Sequence, residues 1–248
     1  MLMPLSSWPV HMSNSLRNVL VAGGSGEIGS AIADLLNESG YSAYTTKSPS
    51  NTAMNGDHCF SVDASNSQSV RSLAKTFETQ VGELYSLVFA IGSVHDGSIM
   101  SMSDDSWNQV IRLNLTAAFY FIREFARGMC VAGNGRIVLV GSVSGRLGVA
   151  GQANYCAAKS GLEGLARSAA VELARYGVTC NVVAPGAIES AMVRTVNEKI
   201  YKNTIRQTPI QRLGAASEVA HSVKYLLEDS SSFVTGQTIV VDGGLTIR

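Results

Sequence analysis

Val19-Leu20-Val21-Ala22-Gly23-Gly24-Ser25-Gly26-Glu27-Ile28-Gly29 is the stretch that decides the fold. An unbroken apolar run of this kind reads as a strand buried on both faces, as in a parallel sheet. Glycines follow at once, and from Ile28 the apolar positions take up helical spacing until Gly40. Glycines let a backbone turn tightly and approach a pyrophosphate, while a helix N-terminus offers free N–H groups and the positive end of a dipole. Gly24, Gly26 and Gly29 fit the G-x-G-x-x-G spacing. Set between a strand and a helix, that spacing predicts a dinucleotide loop made from Gly23, Ser25, Gly26, Ile28 and Gly29.

Outward from the loop the alternation repeats. Strands are expected over residues 18–22, 41–45, 59–62, 84–91, 136–140, 179–183 and 238–241, and helices over 28–39, 67–80, about 104–129, 152–176 and 217–227. Asp104 or Asp105 is the expected cap of the third helix, and Ser217 that of the last. Repeated strand–helix units imply right-handed crossovers. The predicted fold is therefore α/β: a single-domain, Rossmann-type, doubly wound parallel sheet of about seven strands with helices on both faces. The catalytic domain is expected to span residues 18–248, after a loose extension over 1–17 in which Met12 offers a second start. Residues 187–213, the least patterned stretch, are expected to form a lid over the substrate.

The chain has 248 residues, 46% hydrophobic and 15% charged, which suits one domain with a large core. Its formal net charge is zero; no basic stripe points to nucleic acid and no acidic tail to a charged partner. Cys59, Cys130, Cys156 and Cys180 are scattered without metal spacing and read as thiols of a reducing, cytoplasmic compartment. His11, His58, His95 and His221 are isolated too, so no metal site is expected. No apolar run is long enough to cross a membrane, and the N-terminus lacks the pattern of a signal peptide.

The chemistry is concentrated in Gly141-Ser142-Val143 and Tyr155-Cys156-Ala157-Ala158-Lys159. A Tyr and a Lys four apart share one helix face. A neighbouring ammonium is expected to pull the phenol's pKa down toward the working range. A serine hydroxyl on another element can hold a carbonyl oxygen beside that phenol. This is an acid/base site for a carbonyl/alcohol pair, given a hydride carrier alongside.

Where NAD sites commonly place a carboxylate, the end of the second strand reads Thr45-Thr46-Lys47-Ser48. The hydroxyls and ammonium of Thr46 and Lys47 would tolerate a 2′-phosphate, which favours NADP and leaves NAD open. Asp63 either accepts from the adenine amino group or caps the next helix.

Further stretches complete a pattern: Asp63-Ala64, Asn114-Leu115, Gly151-Gln152-Ala153-Asn154-Tyr155, Lys159-Ser160-Gly161-Leu162, Asn181-Val182-Val183-Ala184-Pro185-Gly186 and Val241-Asp242-Gly243-Gly244. From Val19 to Gly244 the chain resembles the short-chain dehydrogenase/reductase family, with its nearest likeness to the 3-oxoacyl-[acyl-carrier-protein] reductase branch. The resemblance implies that Tyr155 is the catalytic acid/base, that Lys159 binds the nicotinamide ribose and lowers the phenol's pKa, and that Ser142 binds the substrate carbonyl. It implies that Asn114 anchors a water linking Lys159 to solvent. Pro185, Gly186 and Ile188 would line the nicotinamide pocket, with Ala64, Ala90 and Gly92 also against the cofactor. Ser190 stands where the family usually has Thr.

The chain departs from the pattern in three places. Phe89-Ala90-Ile91-Gly92 replaces the usual Asn-Asn-Ala-Gly, which is expected to loosen the ligand edge of the sheet. Glu27 replaces the middle glycine of the loop, and Gly26 stands where NADP-preferring members often have Arg. Gly133 and Tyr176 occupy positions where the carrier-protein branch presents basic residues beside the active-site mouth, although Arg127 and Arg175 are close by.

The activity implied is NAD(P)H-dependent reduction of a carbonyl, foremost a 3-oxoacyl thioester on acyl carrier protein. Reduction of another small ketone, or oxidation of a secondary alcohol, is the alternative. A non-catalytic NADP-binding sensor is the third reading. The resemblance also implies a homotetramer packed through the helices carrying Asn114 and Tyr155.

Overall fold

The computed structural model describes residues 17–52, 58–189 and 198–247. The expected N-terminal extension, apart from Arg17, and Ser190 lie outside these residues. Arg17 opens the first strand instead of closing the extension.

The strands are β1 (Arg17–Ala22), β2 (Tyr41–Lys47), β3 (Cys59–Ser61), β4 (Ser86–Phe89), β5 (Gly135–Val140), β6 (Val178–Pro185) and β7 (Thr238–Val241). They form one seven-stranded sheet in the order β3-β2-β1-β4-β5-β6-β7, and every pairing is parallel. The helices are α1 (Glu27–Glu38), α2 (Ser67–Gln80), α3 (Asp104–Ile111), α4 (Ala117–Ala132), the single-turn α5 (Ser144–Leu147), α6 (Ala153–Leu173), α7 (Glu198–Gln207) and α8 (Ala216–Leu227). The doubly wound sheet predicted from the alternation is therefore the fold. Its strand order reverses between β1 and β4, which opens a crevice beyond their carboxyl ends.

Period-two alternation divides the buried strand residues between two cores. Leu20, Ala22, Leu87, Phe89, Ile137 and Leu139 face a layer filled from α2, α4 and α6 by side chains such as Phe77, Phe121 and Leu162. Val19, Val21, Val88, Val138 and Val140 face the other layer, where Ile32 and Leu36 of α1 meet Val223 and Leu226 of α8. Phe89, which stands in place of an expected Asn, is fully buried with its ring 5.6 Å from that of Phe121. The ligand edge is not loosened there, because Ala90 N donates to Ala22 O at 2.8 Å and keeps β4 locked to β1.

The structure differs from the local sequence signals at two helix starts, and the late stretch holds a helix. Ser103, not Asp104 or Asp105, caps α3: its Oγ accepts from Ser106 N at 3.1 Å, while both aspartates occupy the first turn, where they favour the dipole. Ser217 is not the cap of α8. The helix starts at Ala216, and Glu218 reaches back to accept from Ala215 N at 2.8 Å. Between Ala187 and Leu213 the described part is not wholly irregular, since it holds α7, and Ile188 bridges to Gly214.

Candidate active site

The site residues follow the carboxyl ends of the strands at the crevice. After β1, Gly23 has φ +94° and donates its N–H to Thr46 Oγ1 at 3.1 Å. A Cβ on Gly23 would lie 2.9 Å from the Ala90 carbonyl carbon and Ile91 N, so only glycine lets the loop lie on the segment after β4. Gly29 packs against Gly23 O with the same intolerance of a side chain. Gly26 then stands at the N-cap of α1 without any side-chain cap, and Ser25, Gly26 and Glu27 are exposed. Uncapped first-turn N–H groups over a cradle that admits no Cβ suit a pyrophosphate.

Thr46 is buried and its hydroxyl serves Gly23, so it fixes the loop from beneath; Lys47 follows at the end of β2. Asp63 accepts from Ser65 N at 3.0 Å and Ser65 Oγ at 2.7 Å, while Asn66 caps α2. Asp63 is therefore not the helix cap, and it is exposed beyond β3 beside the buried Ala64.

Asn114, Lys159, Tyr155 and Ser142 converge on one region. Asn114 sits in a π-helical turn, Arg112–Thr116, that joins α3 to α4 without a break; such wide turns are frequent at functional sites. It is fully buried, accepts from Ser93 N at 3.3 Å, and donates to Ser93 O and Val110 O at 2.9 Å each. Lys159 lies one turn beyond Tyr155 on α6, and its Nζ donates to Val140 O at 2.9 Å. Asn114 Oδ1 and Lys159 Nζ both approach Gly92, where an added Cβ would lie 2.8 Å and 3.5 Å from them. The buried Ser93 Oγ beside them has no partner. A polar recess lined by an orphaned hydroxyl, an ammonium and an amide fits the ribose end of a nicotinamide nucleotide, just as the glycine cradle fits its phosphates.

Ser142 follows β5, and its Oγ accepts from Ser144 N at 3.1 Å. The Ser142 hydroxyl is near enough to the Tyr155 phenol to favour its charged form, and Lys159 Nζ lies 5.6 Å from the centre of the phenol ring. The expected lowering of the phenol's pKa is reversed in the protein. Burial raises it, the nearby Ser142 hydroxyl opposes the rise only in part, and the Cys156 thiol adds to it. Burial also pushes Lys159 down to about 8. Both shifts arise because low-dielectric surroundings disfavour the charged form. Burial therefore keeps the phenol in its neutral form.

Pro185 ends β6 and is buried, Gly186 follows it, and Ile188 turns into the core beside α8. Gly133 and Tyr176 precede β5 and β6 at the opposite end of the strands, so within one chain they do not stand beside the mouth. Sequence reasoning missed Ser93 and the Val140 carbonyl, because a serine in a loop and a backbone oxygen carry no sequence signal. It also passed over Asn154, although a polar residue in the first turn of an otherwise apolar helix start was a readable cue.

Fold and site together define a class. The chain belongs to the short-chain dehydrogenase/reductase family, through a family model described as enoyl-(acyl carrier protein) reductase that matches residues 22–246, and it is an oxidoreductase acting on CH–OH/C=O groups. Among its relatives is a 3-oxoacyl-[acyl-carrier-protein] reductase of Salmonella typhimurium, 38% identical over 94% of this chain and 99% of the relative. Nodulation protein G of Rhizobium meliloti is 39% identical over 93% and 97%. A 3-oxoacyl-[acyl-carrier-protein] reductase of Mycobacterium avium is 38% identical over 92% and 89%.

Proposed function

We propose that this protein is an NADPH-dependent 3-oxoacyl thioester reductase, with acyl carrier protein or CoA as the thioester's carrier. The observation that carries the reading is the convergence of Ser142 and a neutral Tyr155 beside the buried Lys159. Relatives named as 3-oxoacyl-[acyl-carrier-protein] reductases support the substrate class. Gly23, Ser25, Gly26, Ile28 and Gly29 would hold the pyrophosphate, Lys159 and the Gly92–Ser93 turn the nicotinamide ribose, and Pro185 and Gly186 the ring's pocket. Thr46 backs the loop, and Lys47, Asp63, Ala64 and Ala90 would flank the adenosine end. The absence of a carboxylate among Thr45-Thr46-Lys47-Ser48 favours the 2′-phosphate.

The bound nicotinamide would supply the hydride to the carbonyl carbon. Negative charge then builds on the carbonyl oxygen, where Ser142 donates a hydrogen bond and Tyr155 gives its proton. Lys159, cationic below about pH 8, stabilises the phenolate left behind. Asn114, with its amide tied to Ser93 and Val110, holds the recess at Gly92 open for a water that returns the proton. The residues after Pro185 would close over the substrate. The same reading makes the protein a cytoplasmic homotetramer, in keeping with four unpaired cysteines.

The test is a substrate panel. Purified protein with NADPH or NADH is offered acetoacetyl-CoA, acetoacetyl carrier protein, an enoyl thioester and small cyclic ketones. Turnover of the 3-oxo thioesters with NADPH, well above the others, is expected. Reduction of only the enoyl thioester or only the small ketones would overturn the substrate assignment.

A further inference from the structure

The start of α6, which carries Tyr155, is fastened to the segment after β4, and the fastening is centred on Asn154. This side chain is 0% exposed. Its Nδ2 donates to His95 O at 3.1 Å and to Ser106 O at 3.3 Å, and its Oδ1 accepts from Tyr155 N at 2.7 Å. A first-turn N–H such as that of Tyr155 has no intrahelical carbonyl to meet, so the Asn154 oxygen supplies one. The two donated bonds reach different elements: the chain between Gly92 and α3, and the first turn of α3, which leads into the π-helical turn holding Asn114.

Two further bonds follow the same seam. Gly97 N donates to Gly151 O at 2.8 Å, and Gln152 Nε2 donates to Asp96 Oδ1 at 3.0 Å. Gln152, the N-cap of α6, therefore gives its side chain to the seam and not to the helix end. Asn154 alone is buried, and it alone joins the acid/base residue's own backbone to the opposite wall of the cleft.

We propose that Asn154 is a positioning residue: it sets Tyr155 and Asn114 at a fixed separation by locking the start of α6 to residues 93–106. The inference rests on the carbonyl-reductase reading for its kinetic consequence, but its structural consequence is independent of that reading. No other side chain of this shape can both donate to two carbonyl oxygens and accept from a backbone N–H. Aspartate would keep the acceptor for Tyr155 N, lose both donors, and set an acid against two carbonyl oxygens.

The test compares full-length wild type with Asn154→Ala and Asn154→Asp, each checked for cooperative thermal unfolding. Amide hydrogen exchange is followed by peptide mass, and NADPH-dependent reduction of acetoacetyl-CoA is measured alongside. Exchange in peptides covering 93–106 and 151–158 is expected to quicken about tenfold or more in both variants, with β1 and β5 unchanged. In the same variants kcat should fall by about tenfold to a hundredfold, since small misplacements of reacting groups have that effect, with KM for NADPH within about twofold. Wild-type exchange across the seam in the alanine variant would overturn the proposal. So would full kcat in the aspartate variant, because the lost donors would then be irrelevant. A wild type that reduces no ketone contradicts the functional reading alone, and the exchange result still decides the role of Asn154.

Discussion

Lys159 carries its charge in a place that resists it. The side chain is 4% exposed, it gives a hydrogen bond to Val140 O, and burial lowers its pKa to about 8 from an ordinary 10.5. Below pH 8 both the folded and the unfolded chain hold this proton. As pH rises from about 8 toward 10.5 the folded chain releases it while the unfolded chain keeps it. The unfolded state then binds more protons, so stability rises with pH across that window. Lys159→Met should abolish the rise. Urea unfolding at pH 7 through 10 is expected to show wild type gaining on the variant, by at most about 3 kcal/mol at the top of the window. Parallel stability curves for the two proteins would contradict the burial argument. The phenol of Tyr155 obeys the same physics with the opposite sign of charge, which is why the neighbouring lysine does not make it acidic in the folded chain.

At the scale of elements, α4 and α6 present apolar side chains away from the core: Phe119 is 43% exposed, Val131 84% and Val171 82%. These are the helices through which the proposed tetramer would pack. Light scattering at micromolar concentration should give a tetrameric mass, and a monomer would contradict the assembly. The strands and main helices were legible in the sequence because unbroken apolar runs mark strands buried on both faces and helical spacing marks helices with one face to bury. The start of α3 was not, because Ser103, Asp104 and Asp105 are all good cap residues and only geometry chooses among them. The π-helical turn was not legible, since Arg112–Thr116 lies inside a continuous helical stretch with no Gly or Pro to mark it. Among the site residues, Tyr155, Lys159 and Ser142 were legible in the sequence, whereas Ser93 became apparent only through the contacts that long-range folding creates.

Across the whole molecule, one sheet with a layer on each face brings four separated stretches to one crevice: the glycine turn after β1, the Gly92–Ser93 turn after β4, Ser142 after β5 and Pro185-Gly186 at the end of β6. The fold supplies position, and in the proposed mechanism the chemistry belongs to a phenol kept neutral by burial, which would meet the substrate's oxygen together with Ser142. The most direct test is the turnover of Tyr155→Phe on acetoacetyl-CoA with NADPH, alongside NADPH affinity measured by fluorescence. The variant should bind NADPH about as tightly as wild type and lose about a hundredfold or more in kcat, the scale of a missing proton donor. A variant that turns over like the wild type would contradict the assignment of Tyr155 as that donor.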